Sequence, residues 1–247
     1  MKKITIFGLM IAMLLIAGAN AQAVTIMDNY YGNFDNGNGA PNRDIIGAAN
    51  LFETTKMDVS SVGGNLNVTI YSDYLDNVGY GNTELGDLFI STNGWQVMGS
   101  APYVNDDYTN GGWEYALVHD QVKGSGSTSG ILNLYSINSG TTRLSNYFDA
   151  LYNFGDDGVN YRSEQEVRFD PTGGNSLAQG NWLISGLTLT FTIPNTFYPN
   201  FNDLAFHWTT TCANDVIEGK VPEPSTLLLL GSGLLGLALY GRKRFKR

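Results

Sequence analysis

Short runs in which apolar and polar residues alternate fill the middle of the chain, between residues 24 and 221. In the clearest run, at 187–193, leucine, phenylalanine and isoleucine alternate with threonine. A period of two, with β-branched and aromatic residues, is typical of half-buried strands. Further runs of this kind lie at 66–71, 113–118 and 204–209. The pattern predicts an all-β segment.

Turn residues separate these runs. Asn93-Gly94 stands between two apolar runs and predicts a two-residue hairpin loop. Residues 124–130 contain only Gly, Ser and Thr and indicate a longer loop. Only 44–51 and 145–154 suggest short helices. About eight to eleven strands at this spacing predict one domain, an antiparallel β-sandwich or jelly-roll-like fold over residues 24–221.

The N-terminus has the three parts of a secretory signal peptide. Lys2 and Lys3 precede an apolar run at 4–19, and small residues follow at Ala21 and Ala23. This pattern predicts a signal peptide over residues 1–23, with cleavage after Ala21 or Ala23, of which we favour Ala23. An uncleaved anchor helix is the alternative.

The C-terminus, residues 222–247, also has three parts. Pro222-Glu223-Pro224 comes first, and an apolar run follows at 227–240. Its 14 residues would span about 21 Å as a helix, less than the roughly 30 Å hydrocarbon core, yet a thinned bilayer accommodates such a segment. The run therefore predicts a C-terminal transmembrane helix. The chain ends with a basic cluster that would hold this terminus on the cytoplasmic side, Arg242, Lys243, Arg244, Lys246 and Arg247.

This order of Pro-Glu-Pro, a glycine-containing apolar run and a basic terminus resembles the PEP-CTERM sorting signal. The resemblance implies export by a Gram-negative bacterium, transient residence in the inner membrane and processing by exosortase, a membrane cysteine transpeptidase-like enzyme. It also implies a final location at the cell surface or in the medium, in bacteria that often make exopolysaccharide and biofilm. A plain tail anchor, in which Pro222-Glu223-Pro224 is only a stiff spacer, is the alternative.

Charge narrows the classes of partner. The chain has a formal net charge of −9, with 14 Lys and Arg against 23 Asp and Glu. Seven of the basic residues and one of the acidic ones lie in the two ends, so residues 24–221 carry 7 against 22, a net −15. Because nucleic-acid binding needs a positive surface, we expect no nucleic-acid partner.

Few residues suggest catalysis. His119 and Asp120 are strand neighbours that point to opposite faces, and His207 stands between two aromatic residues. Cys212 is the only cysteine, which leaves a small buried thiol or an intermolecular disulfide. Glu164 and Glu166 share a predicted strand face and are flanked on it by Arg162 and Arg168, which indicates a solvated face stabilised by opposite charges. We therefore expect no enzymatic activity.

Two kinds of binding site stay open. The segments 35–39 and 156–158 offer hard oxygen ligands in turns, so weak calcium binding is an alternative to ordinary Asx turns; otherwise we expect no cofactor. A carbohydrate-stacking surface could be formed by six loop tyrosines, Tyr30, Tyr31, Tyr103, Tyr108, Tyr152 and Tyr161.

These features together predict a non-catalytic component of the cell surface or of an exopolysaccharide biofilm matrix, with exosortase as processing partner and extracellular polysaccharide as a further candidate partner. A lectin-like carbohydrate-binding module is the first alternative. A polysaccharide-degrading enzyme is the second, and it would require an acidic pair across a cleft.

Overall fold

A computed structural model of the chain describes residues 22–32, 44–110, 112–121, 126–145, 161–222 and 232–233. The predicted signal peptide up to Ala21 lies outside the described residues, as do both candidate calcium loops, 35–39 and 156–158. Glu223, Pro224 and the basic C-terminus lie outside them too. Within the described ranges, no helix combines the length and the apolar composition that crossing a membrane requires.

The described residues form twelve strands and few helical turns. One turn of α-helix, Ala49–Phe52, stands where a short helix is predicted at 44–51, and 3₁₀ turns occur at Asp73–Asp76, Tyr80–Asn82, Tyr108–Asn110, Ile137–Ser139 and Phe201–Asp203. The strands are β1 (Gln22–Met27), β2 (Thr54–Val62), β3 (Asn65–Ser72), β4 (Leu88–Ser91), β5 (Tyr115–His119), β6 (Ser129–Ser136), β7 (Thr141–Leu144), β8 (Glu166–Asp170), β9 (Ala178–Ser185), β10 (Thr188–Pro194), β11 (Ala205–Thr209) and β12 (Val216–Lys220).

Ten of these strands form one antiparallel sheet in the order β1-β2-β3-β10-β9-β6-β5-β4-β11-β12, and β7 pairs with β8 separately. The sheet curls until its two edge strands meet, because a Cβ added at Gly219 in β12 would lie 2.8 Å from the Ile26 side chain in β1. The all-β antiparallel prediction is confirmed. The sandwich or jelly-roll assignment is not confirmed, since hydrogen bonds join these ten strands into a single curled sheet.

The alternating runs mark real strands, and their apolar positions form the core. Leu189, Phe191 and Ile193 in β10 are buried, and Phe191 is paired with the equally buried Val68 of β3. Burying each such side chain contributes about 2 kcal/mol. The threonines between them form cross-strand contacts on the outer face, such as Thr190 with Thr69, whose hydroxyl oxygens lie 3.1 Å apart.

The predicted hairpin at Asn93-Gly94 is wrong. Gly94 has the expected positive φ of 91°, yet residues 95–98 form no strand. Its N–H donates instead to the carbonyl oxygen of Asp203, 3.0 Å away. The turn residue was identified correctly, but the chain leaves the sheet after β4, which pairs with β5 and β11.

Candidate functional site

The Pro-Glu-Pro motif begins where the packed sheet ends. After β12, Val221 is still buried and its N–H donates to the carbonyl oxygen of Leu204 at 2.8 Å. Pro222 is the first exposed residue beyond this bond. The sheet therefore holds the start of the motif firmly.

The N-terminal edge of the sheet begins within the predicted cleavage region. Gln22 and Ala23 are already part of β1, where they pair with Ser61 and Ser60 of β2. Cleavage after Ala21 would leave the strand whole. Cleavage after Ala23, the position that we favour from sequence, would remove the first two residue pairs of the ladder.

A buried ion pair joins the last two strands of the sheet. His207 of β11 and Glu218 of β12 are register partners, with His207 Nδ1 2.7 Å from Glu218 Oε2. The other ring nitrogen, Nε2, lies 2.8 Å from the carbonyl oxygen of Glu166. A carbonyl oxygen and a carboxylate both accept hydrogen bonds, so this arrangement favours a His207 ring that is protonated on both nitrogens. Burial lowers the pKa of His207, but the hydrogen bond and charge of Glu218 outweigh this effect and raise it.

Glu166 brings an acidic group to the same region. Its side chain is buried, and burial raises its pKa to about 7, with His207 acting in the opposite direction and the charge of Glu218 adding to the rise. The prediction of a solvated charged face at 162–168 is therefore wrong: Arg162 and Glu166 are both buried, and only the neighbouring Glu164 and Arg168 are partly exposed.

Glu166 also lines a pocket of about 210 Å³ together with Tyr108, Gly112, Trp113, Ile137 and Thr142. The Tyr108 side chain is 43% exposed at the rim, whereas Trp113 is only 9% exposed. Among the described residues, the indole Nε1 of Trp113 has no hydrogen-bond partner. Two aromatic residues and one buried glutamate thus line one pocket.

The tyrosines do not form one continuous surface. Tyr30 is buried and donates a hydrogen bond of 2.8 Å to Asp106 Oδ2. Tyr103 packs edge-on against Trp95, with ring centroids 4.9 Å apart. Tyr108 lines the pocket beside Glu166. Tyr31 and Tyr161 are partly buried, and Tyr152 lies outside the described residues.

Cys212 and His119 are core residues. The thiol of Cys212 is fully buried and lies 3.1 Å from the hydroxyl of Thr210, and burial raises its pKa to about 12. Burial lowers the pKa of His119 to about 4. Asp120 does not pair with His119 but accepts a hydrogen bond from the indole of Trp182 at 2.8 Å.

A second acidic cluster lies where the two edges of the sheet meet. It consists of Asp28, which follows β1, Asp44, and Asp215, which precedes β12, and one carboxylate oxygen of each lies within 4.8 Å of the others. Asp215 accepts hydrogen bonds from the N–H groups of Thr54 at 2.5 Å and Val216 at 3.0 Å.

The other two aspartates of this cluster each have a carboxylate oxygen without a hydrogen-bond partner among the described residues. Asp28 Oδ1 accepts from the Tyr30 N–H at 3.2 Å, but Asp28 Oδ2 and Asp44 Oδ1 are buried without a partner in the described part of the chain. An unsatisfied buried polar group costs about 1–3 kcal/mol, and more when charged. Burial, followed by the charges of the neighbouring aspartates, raises the pKa of Asp28 well above its ordinary value. Burial likewise raises the pKa of Asp215.

Arg162 lies beside this cluster. Its guanidinium donates hydrogen bonds to three backbone carbonyl oxygens, those of Asp44 at 2.6 Å and of Gly32 and Ala213 at 3.3 Å. This cluster was not predictable from the sequence, because its members come from segments far apart in the chain. Asp28 and Asp215 also lack the Gly-containing turn pattern on which the calcium predictions at 35–39 and 156–158 rest.

Comparison with known proteins supplies the context for these sites. No curated protein and no solved structure matches the chain. Residues 220–244 match the family model of the PEP-CTERM protein-sorting motif, which begins in the last residue of β12. This motif implies export, membrane transit for sorting to the cell surface and recognition by exosortase, a membrane processing enzyme. The chain is thus an exported protein that carries a C-terminal PEP-CTERM protein-sorting motif and is targeted to exosortase.

Proposed function

We propose that this protein is a non-catalytic component of the cell surface or extracellular matrix, released from its membrane anchor by exosortase and associated with the exopolysaccharide of a biofilm. The observation that carries this proposal is the complete three-part tail, with its sorting motif matched at residues 220–244. The acidic curled sheet is then the cargo that the tail delivers.

The structure suggests how the cargo presents the motif. Val221 is anchored to the sheet by its backbone bond to Leu204, while Pro222 is exposed. Proline fixes φ near −65° and biases the preceding residue toward extended backbone. An extended segment that starts at a fixed point is a suitable substrate for the groove of a processing enzyme. Glu223 adds a single negative charge for recognition.

A fractionation experiment tests the proposal. Replacing Pro222, Glu223 and Pro224 with alanine leaves the apolar run and the basic terminus unchanged, so insertion energetics should hardly change. We expect this variant to accumulate at full length, without its signal peptide, in the inner membrane, while the wild-type protein loses its basic terminus and reaches the surface or medium. The matched control replaces Ser225 and Thr226 with alanine and should behave as wild type. Identical size and location for wild type and the triple variant would contradict the proposal.

The aromatic pocket favours a second candidate, a carbohydrate-binding module. Tyr108 and Trp113 offer ring faces on which a sugar can stack, and Glu166 offers an acceptor or donor for hydroxyl groups. Glycan-array binding that is lost on Tyr108→Ala but kept on Tyr80→Ala, a tyrosine 50% exposed elsewhere, would support this candidate. Absence of binding at millimolar glycan would argue against it.

A further inference from the structure

The seam where the sheet closes contains more negative than positive charge. Asp28, Asp44 and Asp215 bring three carboxyl groups together, and Arg162 brings one guanidinium. With the three aspartates ionised, these four groups carry a net charge of −2. One divalent cation would balance this charge.

Two carboxylate oxygens of the cluster are buried and unsatisfied within the described residues. Asp28 Oδ2 and Asp44 Oδ1 are both shielded from solvent, and neither has a hydrogen-bond partner among the described residues. Buried carboxylate oxygens are normally hydrogen-bonded or coordinated, because burial removes the water that would otherwise solvate them. These two oxygens therefore point to a ligand that the polypeptide itself does not supply.

The spacing indicates which ligand fits. The three ligand oxygens lie within 4.8 Å of one another, which is about twice a Ca²⁺–oxygen distance of roughly 2.4 Å. By geometry, an ion at their centre lies no more than about 2.8 Å from each oxygen, so a shift of a few tenths of an ångström brings all three to bonding distance. The ligands are all hard carboxylate oxygens, which suits Ca²⁺ and its irregular coordination. Mg²⁺ demands a tighter octahedron of about 2.1 Å, and thiol- or imidazole-seeking metals find no matching donor among these three residues.

We propose that Asp28, Asp44 and Asp215 form a calcium site that joins the first and last strands of the curled sheet.

This placement gives the ion a structural role. Asp28 directly follows β1 and Asp215 directly precedes β12, so one ion bridges both edges of the sheet. The third ligand, Asp44, lies in the segment that leads to the helical turn Ala49–Phe52. A hydrogen bond of 2.7 Å, from the Ile46 N–H to the Asn214 carbonyl oxygen, already joins this segment to the residues that precede β12. Extracellular calcium modules typically have dissociation constants of about 10⁻⁴–10⁻³ M. A site of this strength would be filled outside the cell and empty in the cytoplasm.

Thermal unfolding with added salts tests the site. The full-length chain, kept in mild detergent and stripped with EDTA, is titrated with CaCl₂, MgCl₂ and NaCl at matched ionic strength. We expect Ca²⁺ to raise Tm saturably with a midpoint below about 1 mM, and Mg²⁺ to do so much less. Equilibrium dialysis should find one Ca²⁺ bound per chain. An equal shift with NaCl, or no saturable shift with Ca²⁺, would overturn the proposal.

Matched variants locate the binding. Asp28→Asn and Asp44→Asn preserve side-chain size while removing a charge from the cluster, and each should weaken Ca²⁺ binding at least tenfold. The exposed Asp76→Asn is the control and should keep the wild-type Ca²⁺ response. If a cluster variant fails to fold, Tb³⁺ luminescence on the wild-type chain, excited through Tyr30 and displaced by Ca²⁺, replaces it. Unchanged Ca²⁺ affinity in both variants, or Tb³⁺ emission that Ca²⁺ does not displace, would refute the assignment.

Discussion

Replacing Glu166 with glutamine should make the stability of the protein less dependent on pH. Glu166 lies in the interior near Glu218 and His207. Burial is the main reason why its pKa rises from 4.5 to about 7. Glutamine has nearly the same shape but cannot ionise, so the substitution removes the titration and keeps the packing.

The sign and the size of this pH dependence follow from the linkage between proton binding and folding. A carboxyl group whose pKa is raised on folding stabilises the fold fully below its unfolded pKa of about 4.5, and this contribution is lost as the pH rises through about 7. At about 1.4 kcal/mol per pH unit, the shift corresponds to about 3 kcal/mol. The wild-type protein should therefore lose about 3 kcal/mol more than Glu166→Gln between pH 4.5 and pH 8.5. Asp106, whose pKa burial raises to about 6, titrates in both proteins, so its contribution largely cancels, although its charge also helps to raise the pKa of Glu166.

Urea unfolding of the full-length chain at half-unit steps of pH measures this difference. Glu164→Gln is the matched control, since Glu164 lies two residues away but is partly exposed, and its curve should run parallel to the wild-type curve. A difference between wild type and Glu166→Gln that stays constant from pH 4.5 to 8.5 would refute the reasoning. It would show that Glu166 keeps an ordinary pKa in the folded protein.

Three further predictions concern packing, the thiol and processing. Gly180→Ala should destabilise the sheet by about 3 kcal/mol, because its Cβ would overlap the Thr192 carbonyl oxygen. The control Gly174→Ala approaches Ser139 only to 3.3 Å, and it should cost less than about 1 kcal/mol in the same urea assay. Cys212 should not react with a thiol reagent in the folded protein and should react fully in denaturant, because it is buried and its pKa is raised to about 12; rapid native labelling would contradict this. The sequence alone favours cleavage after Ala23, but β1 starts at Gln22, so mass spectrometry of the exported protein should find Gln22 and not Val24 at its N-terminus; a start at Val24 would contradict this.

The sequence predicted the strands well because alternation is a local property. Each of the four alternating runs coincides with a strand, and Leu189, Phe191 and Ile193 of the 187–193 run are buried, whereas Leu187, just before β10, is 43% exposed. Their pairing is not local. β3 lies beside β10, and β6 lies beside β9, so the partners are far apart in the chain. Alternation shows that a strand has two faces but contains no information on which strand lies next to it.

The same limit explains the misread charged segment. The spacing of the charges at 162–168 predicted one strand face, yet β8 begins only at Glu166, and Glu164 has a positive φ of 60°. Arg162 is buried because three carbonyl oxygens from distant segments receive its N–H groups. Glu166 is buried beside His207, whose partner Glu218 lies on another strand. Tertiary contacts, absent from the local pattern, decided the environment of each charge.

The arrangement of the two edge strands connects the fold with export. Asp28 at the end of β1 lies beside Asp215 at the start of β12, while Gly219 near the end of β12 approaches Ile26. β12 therefore runs back along β1, and the start of β1 and the end of β12 point away from the aspartate cluster. Both predicted processing points thus lie toward one end of the sheet, and the proposed calcium site lies at the other. Because the seam joins the first strand to the last, the sheet can close only after the whole domain has been exported across the membrane. The tail would then hold the domain at the membrane, and closure of the sheet would depend on calcium ions found outside the cell.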